Sequence, residues 1–530
     1  MASLKIPAIL ILNKNKTYGR SSNGRLLYKA IPSDTTIPAV LVPYTIKSAF
    51  SKAYVNMYVL LEPWDNIQSQ TLIADIIGPV DILDNTYTFE LHCKGLWLSH
   101  PPAFKRPYSL PIFKTDNNAT IFSIDGPQTR DFDDAFSIRH RNDSDVTEIT
   151  IYIANVPLIL AHMGLLTELI AGQKMSSIYL PNKVVPLLPA RFSEGICSLC
   201  ADGTVKSCFK LLIGIDNEGF ILYYSFNTED VIITHNYVYE TDELLSSPDY
   251  KLLVETTRKV FNYAAFSNKS EGLTRTFNFM SCPQKSDEIV AYWMIMMNWI
   301  ASHDANRNHS KSYTQIYRAD ELIAKRTSAT TIPIPIPGLL EHDVEKAIGR
   351  HYGITDEKQF IGEYTTEPRP HTTLNIPTYL HITSPIRRMP DIINIAIHML
   401  REEYILCKLS SNVFKQFTAA LDIYQSTKDD FVNRLNTQML NIKRVQRQCE
   451  LFAAAVAINN TRRQYNAVLC NMVDVEKGEW EIYIPDLRLF TFVIIPSVEI
   501  HTVIHCELYS FYDETTTRKF VKVNPILSAS

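Results

Sequence analysis

Short apolar runs separated by turn-forming residues dominate the first hundred positions: 8–13, 39–43, 56–61 and 87–91. Each has the length of a strand, and their spacing predicts one or two small β-barrels over 1–105. A proline-punctuated stretch from Pro101-Pro102 to Pro111 reads as a linker. From residue 112 the pattern lengthens. Strands are predicted around 121–124 and 148–153, a helix over 158–173, and two long helices over 286–305 and 391–405. Strands mixed with long helices predict an α/β or α+β domain. The run Ile332-Pro-Ile-Pro-Ile-Pro-Gly338 reads as a loop or stiff connector. Positions 411–461 are mostly helical, with a basic face of Lys443, Arg444 and Arg447. Strand patterning returns at Tyr465, in the runs 467–469, 480–484, 490–495 and 520–523. That predicts a C-terminal barrel of OB type over 465–530, a frequent carrier of single-stranded nucleic acid. The predicted architecture is α+β: a mixed α/β domain over 112–461, flanked by small OB-type β-barrels.

Composition narrows the function classes. The 530 residues are 46% hydrophobic and 20% charged, with a net charge of -4, as in an ordinary globular chain of several domains. That balance excludes a protein that coats nucleic acid on its outer surface. It leaves room for a strand threaded through a locally basic channel. No apolar stretch reaches the roughly 18 residues of a membrane span. The first residues lack a signal-peptide pattern, so an intracellular protein, cytoplasmic or nuclear, is expected. Nine scattered cysteines fit a reducing compartment. The pair Cys197-Ser-Leu-Cys200 has metal or redox spacing, but with no second pair nearby it reads as two core thiols.

The chemistry is concentrated in Asp125-Gly-Pro-Gln-Thr-Arg-Asp131-Phe-Asp133-Asp134, directly after the apolar run at 121–124. Four carboxylates face a single cation, Arg130. The simplest partner is a hard divalent metal with oxygen ligands. Strict alternation sends Asp131 and Asp133 to one side and Asp134 to the other, whereas a kinked loop gathers all four. Two magnesium ions about 4 Å apart would then hold the attacking and leaving oxygens of a phosphoryl displacement. A solvated acidic loop is the bland alternative; a calcium EF-hand is not, because its closing glutamate is absent. Downstream lies Tyr379-Leu-His381-Ile-Thr-Ser384-Pro385-Ile-Arg387-Arg388. Two arginines at a helix start suit phosphate, which guanidinium binds bidentately; the bland alternative, favoured for this segment taken alone, is a surface arginine pair beside Asp391.

Together these stretches resemble the RNB family, that of ribonuclease II, ribonuclease R and the exosome's catalytic exonuclease. The resemblance rests on Ile124-Asp125 with Arg130-Asp131-Phe-Asp133-Asp134-Ala135, and on Tyr379 through Arg388. Three further stretches follow in order: Tyr179-Leu-Pro through Pro189 with Cys197-Ser-Leu199, Met294-Ile-Met-Met-Asn298, and His371-Thr-Thr-Leu374. It covers roughly 112–405.

The resemblance implies a magnesium-dependent 3′-to-5′ exoribonuclease that threads single-stranded RNA and releases nucleoside 5′-monophosphates by a two-metal mechanism; manganese is the other ion such a site accepts. It implies metal contacts from Asp125, Asp131, Asp133 and Asp134, with catalysis by Asp133, Arg387 and Arg388. RNA contacts are implied for Tyr179, Tyr317, Tyr379, His381 and Ser384, the first two by stacking on terminal bases. A monomer is expected, with RNA as partner and room for association with an RNA-decay assembly. The competing expectation is an RNB fold that binds RNA without cleaving it. The chain departs from the family pattern at Tyr152 and Asn155, where His-Ile-Ala-Asp is expected. It departs again at Thr373 for a glycine, Met389 for an aromatic, and Ile395-Ala396 for His-Arg.

Overall fold

The computed structural model describes residues 5–46, 54–63, 70–107, 113–115, 119–266, 282–307, 313–322, 360–401, 409–457, 464–474, 477–495, 503–512 and 519–526. The connector at 332–338 lies outside them, as do the end of the predicted helix at 402–405 and part of the linker.

Near the N-terminus β1 (Ile6–Leu10), β2 (Leu27–Pro32), β3 (Val40–Pro43), β4 (Met57–Leu61) and β5 (Ile73–Pro79) form one sheet in the order β3-β2-β1-β4-β5. A parallel bridge between Leu41 and Gln70 brings the two edges together. One five-stranded unit therefore accounts for the described part of this region. The expected strand at 87–91 is instead part of a helix, Leu83–Cys93. Tyr87, Phe89 and Leu91 alternate because the helix is buried on two sides. Phe89 stacks on Tyr58 of β4 at 4.2 Å, while Tyr87 and Leu91 pack with Cys449 and Phe452 of another helix. Two apolar stripes on one helix imitate the period of a strand.

The central sheet is built from β6 (Phe122–Asp125), β7 (Asp134–Arg141) and β8 (Val146–Ala154), followed after a small hairpin, β9 (Ile178–Leu180) and β10 (Lys183–Val185), by β11 (Val205–Ile215), β12 (Ile221–Ile232) and β13 (His235–Val238). Its order is β12-β11-β8-β7-β6-β13, antiparallel apart from the β13–β6 pair. β8 is buried at every position, including Thr147, Glu148 and Thr150, with Glu148 paired to Arg139 and Arg141. The predicted helix at 158–173 divides in two, Val156–His162 and Leu166–Ile170. Gly164, at φ +68°, ends the first, and Asn155 caps its start.

Helices Pro248–Phe266, Ser286–Arg307 and Met389–Arg401 complete the central core. The last is buried from Met389 through Met399, so Met389, Ile395 and Ala396 are core residues. β14 (Tyr317–Leu322) pairs with β15 (Phe360–Thr365) beside it. Helices Ser411–Ser426 and Lys428–Ala457 lead to a second sheet of β16 (Gln464–Asp474), β17 (Glu479–Ile484), β18 (Leu489–Ile494), β19 (Val503–Tyr512) and β20 (Lys519–Ile526). Its order, β18-β17-β16-β19-β20, repeats that of the N-terminal sheet. The fold is thus α+β, a mixed central domain between two five-stranded β units. Of the basic face, Arg447 is spent on packing: it donates to Phe490 O at 2.9 Å, pairs with Glu481 and lies over Phe492.

Candidate active site

The aspartates lie where β6 ends and β7 begins. Asp125 is the last residue of β6 and Asp134 the first of β7, so the loop between them closes across the sheet edge. Backbone bonds set that loop. Ala154 N–H donates to Asp133 O, and Leu199 N–H to Phe132 O, both at 2.9 Å. The Ser198 hydroxyl accepts from Phe132 N–H at 3.0 Å and donates to Arg130 O at 2.9 Å. The Cys197-Ser-Leu199 stretch is therefore the brace of the aspartate loop, held on a short π-helical turn, Arg191–Ile196, whose Phe192 is buried. Cys197 is a buried core thiol as expected; Cys200 is half-buried and bonds Asp202.

Burial dominates the electrostatics. It pushes the Asp125 carboxyl up to about 6, against the pull of Ser123 and Arg387. Asp133, 4% exposed, is pushed up to about 7 despite Arg387 and the Ile386 N–H, and Asp134 rises well above its ordinary range, with Asp125 and Asp133 adding like charge. Burial raises Asp131 as well. Asp125 Oδ2 and Asp134 Oδ2 are both buried with no hydrogen-bond partner among the described residues. Two orphaned oxygens beside like charge fit a hard cation. The set is not a ready cage, however: among the described residues no three or more His, Cys, Asp or Glu side chains are gathered to hold an ion. Two of the four carboxylates are engaged elsewhere. Asp131 Oδ2 accepts from the Tyr179 hydroxyl at 3.3 Å. Asp133 accepts from Ile386 N–H at 2.9 Å and lies 3.1 Å from Arg387 Nε.

The second constellation is a tight turn against this loop. Arg387 and Arg388 N–H both donate to Ser384 O. Arg387 Nη2 donates to Ser384 Oγ at 3.0 Å, and its side chain keeps 47% exposure. Arg388 points the other way, onto the fully buried Asp391, which also accepts from Ser384 N–H. Ser384 therefore shapes the turn. Behind it Asn298 donates to the Tyr379 hydroxyl and to Thr383, and accepts from Ile382 N–H at 2.9 Å. Asn298, inside helix Ser286–Arg307, thus clamps the Tyr379–Arg388 segment. His381 is held neutral by burial, well below its ordinary pKa, with Arg388 and Arg318 adding to the effect; its Nδ1 meets the Tyr364 hydroxyl at 3.0 Å.

Of the five expected RNA contacts, Tyr179 alone presents a substantially open ring, at 38% exposure. Tyr317 is 6% exposed with its hydroxyl on Asn306, and Tyr379 is buried on Asn298. Tyr317 thus offers little open ring surface for stacking. The structure adds Tyr239, whose N–H donates to Asp125 O at 3.0 Å. Burial, together with Asp125 and Asp134, pushes its hydroxyl up. Its place follows from the parallel pairing of β13 with β6, a long-range contact with no local signal. At Thr373, where the family pattern has glycine, the N–H is taken up by Asp320 at 3.0 Å, and His371 Nδ1 lies 3.0 Å from the same carboxylate.

Comparison with known proteins agrees with this architecture. The RNB domain model matches residues 114–401. Ribonuclease R of Chlamydia muridarum is 25% identical over 320 residues, covering 51% of this chain and 44% of that protein. The chain spans about half the length of the curated relatives it matches. Among solved structures, Mycoplasma genitalium RNase R in complex with ribose-methylated single-stranded RNA superimposes with a TM-score of 0.68 at 12% identity, over 98% of this chain and 90% of that one. Yeast Ssd1, a pseudonuclease, superimposes with a TM-score of 0.57 at 16% identity, over 98% of this chain and 67% of that one. The chain belongs to the RNB family.

Proposed function

We propose that the chain is a 3′-to-5′ exoribonuclease that hydrolyses single-stranded RNA to nucleoside 5′-monophosphates. The observation that carries this reading is the pair of buried, unpartnered oxygens on Asp125 and Asp134, set beside an Arg387 guanidinium that is still half open. The donor set is all oxygen, which fits magnesium or manganese. Asp125 and Asp134 would hold the ion directly, with Asp131 and Asp133 joining once released from Tyr179 and Arg387. When bound, such ions supply Lewis acidity toward a phosphoryl oxygen and neutralise developing charge. The chain's own groups do the rest. Arg387 offers a planar donor fork to the phosphate. Arg388, balanced by Asp391, holds the turn. Tyr179 offers a ring face to the terminal base, and stacking tolerates any base. The partner is RNA, as named for the Mycoplasma genitalium structure.

The test is digestion of 5′-labelled single-stranded RNA with and without magnesium, beside Asp133→Asn and Asp134→Asn. A magnesium-dependent ladder shortening from the 3′ end, absent in both variants, is the expected result. RNA that is bound but left intact by the unaltered chain would favour the second reading, an RNB fold that binds without cleaving. The likeness to the yeast pseudonuclease is the one observation on that side. Against it stands a complete set of aspartates, which would be a standing electrostatic cost with no ion to hold.

A further inference from the structure

The hairpin of β9 and β10 and its approach strand link the arginine turn, the aspartate loop and the two helices that adjoin the flanking β units. Its approach strand is tied to the arginine turn: Ser177 N–H and the Ser176 hydroxyl both donate to Arg387 O, at 2.9 and 3.0 Å, and Met389 N–H donates to Met175 O. Its middle residue, Tyr179, reaches the aspartate loop through Asp131. Its apolar side, Ile178 and Leu180, is buried among Tyr87 and Leu91 of helix Leu83–Cys93 and Val445 and Phe452 of helix Lys428–Ala457. Those two helices adjoin the N-terminal and C-terminal β units respectively. Polar contacts fasten the hairpin to each. Lys183 Nζ lies 3.2 Å from Asp84 Oδ1 and 3.4 Å from Thr88 Oγ1, and sits over the Trp97 ring at 5.3 Å. Gln446 Nε2 donates to Tyr179 O at 2.9 Å.

We propose that Lys183 and Gln446 are positioning residues that fix the pose of Tyr179, so that the β units on either side set how the RNA 3′ end is gripped. The inference rests on the reading of this site as an RNA 3′-end pocket. The backbone carbonyl of Tyr179 is held from the C-terminal side and its hairpin partner strand from the N-terminal side. Its hydroxyl spans the gap to Asp131. Removing both outer fastenings frees the ring while leaving the apolar packing and all catalytic groups in place.

The test uses the full chain in chelator, bound to a short single-stranded RNA ending in 2-aminopurine, whose emission falls when the base stacks on an aromatic ring. The chain itself should quench the terminal base and Tyr179→Ala should not. The Lys183→Met, Gln446→Leu double variant should lose about threefold to tenfold of the stacked population, the scale of one or two lost hydrogen bonds. With magnesium its KM should rise while kcat holds. Lys183→Arg alone should keep the unaltered behaviour. Should the double variant fail to fold, Gln446→Leu alone, at a half-buried amide, must show the same direction. Full quenching by the double variant, with Tyr179→Ala defective, would overturn the inference. So would digestion of RNA by the unaltered chain with no quenching, which would leave the proposed function intact. Failure of the unaltered chain to bind RNA at all would remove both.

Discussion

Asp125 and Asp134 hold two buried oxygens that no described residue satisfies. Their carboxyls, with Asp133, bind protons more tightly in the fold than in an unfolded chain. Asp125 moves from its ordinary 3.8 to about 6 and Asp133 to about 7, with Asp134 also raised. The stabilisation this gives the metal-free fold is complete below about 4 and is lost as pH rises through about 7. In chelator, Asp134→Asn should therefore melt higher than the unaltered chain, and by more at pH 8 than at pH 5. Melting curves at the two values check this; an equal gain at both would contradict the burial argument. Adding magnesium should raise the melting temperature of the unaltered chain and leave the variant unmoved. Ser198 makes a second prediction. Ser198→Ala removes two bonds to the aspartate loop and should cost about 1–2 kcal/mol by denaturant titration. The change in digestion rate should exceed the change in RNA affinity.

At the scale of elements, the arginine turn depends on two helices. Asn298→Ala abandons three partners in a buried setting and should destabilise the fold by about 2–3 kcal/mol. Asp391→Ala leaves Arg388 without its carboxylate and should cost about 3–5 kcal/mol, measured the same way. The strands 56–61 and 148–153 and the described parts of the helices 286–305 and 391–405 stand close to their expected places although they are buried on nearly every side, because the length of each apolar-rich run separates strand from helix. Helix Leu83–Cys93 was misread as a strand because two neighbours bury it at once. The long hairpin of β11 and β12 drew no expectation, since β12 is only half-covered and its alternation is diluted. In the site, the aspartates and arginines were visible in the motifs. That Asp131 and Asp133 are occupied by Tyr179 and Arg387 was not, because those pairings span tens to hundreds of positions.

Across the whole molecule, two five-stranded units with the same strand order stand at either end of a mixed core. Helix Lys428–Ala457 runs from the core to the second of them, and Arg447 fastens it there. Arg447→Ala gives up a carbonyl bond, an ion pair and a ring contact at once. It should weaken the C-terminal unit by about 1–3 kcal/mol. Calorimetry should then resolve an earlier transition for that unit, with the core transition unchanged; a uniform downward shift of one transition would mean that the two melt as one body.

The burial of helix Met389–Arg401 from Met389 through Met399 also limits what its positions can accept. Ile395 and Ala396 occupy the places where the family resemblance expects His-Arg, and both are sealed from solvent. An arginine at 396 would bring a guanidinium to a wholly buried position, which costs stability unless a carboxylate pairs with it. The space around both positions is filled, so a longer or charged side chain there meets packed neighbours rather than a vacant socket. The helix therefore accepts the family's His-Arg pair only if the core around it is rebuilt at the same time.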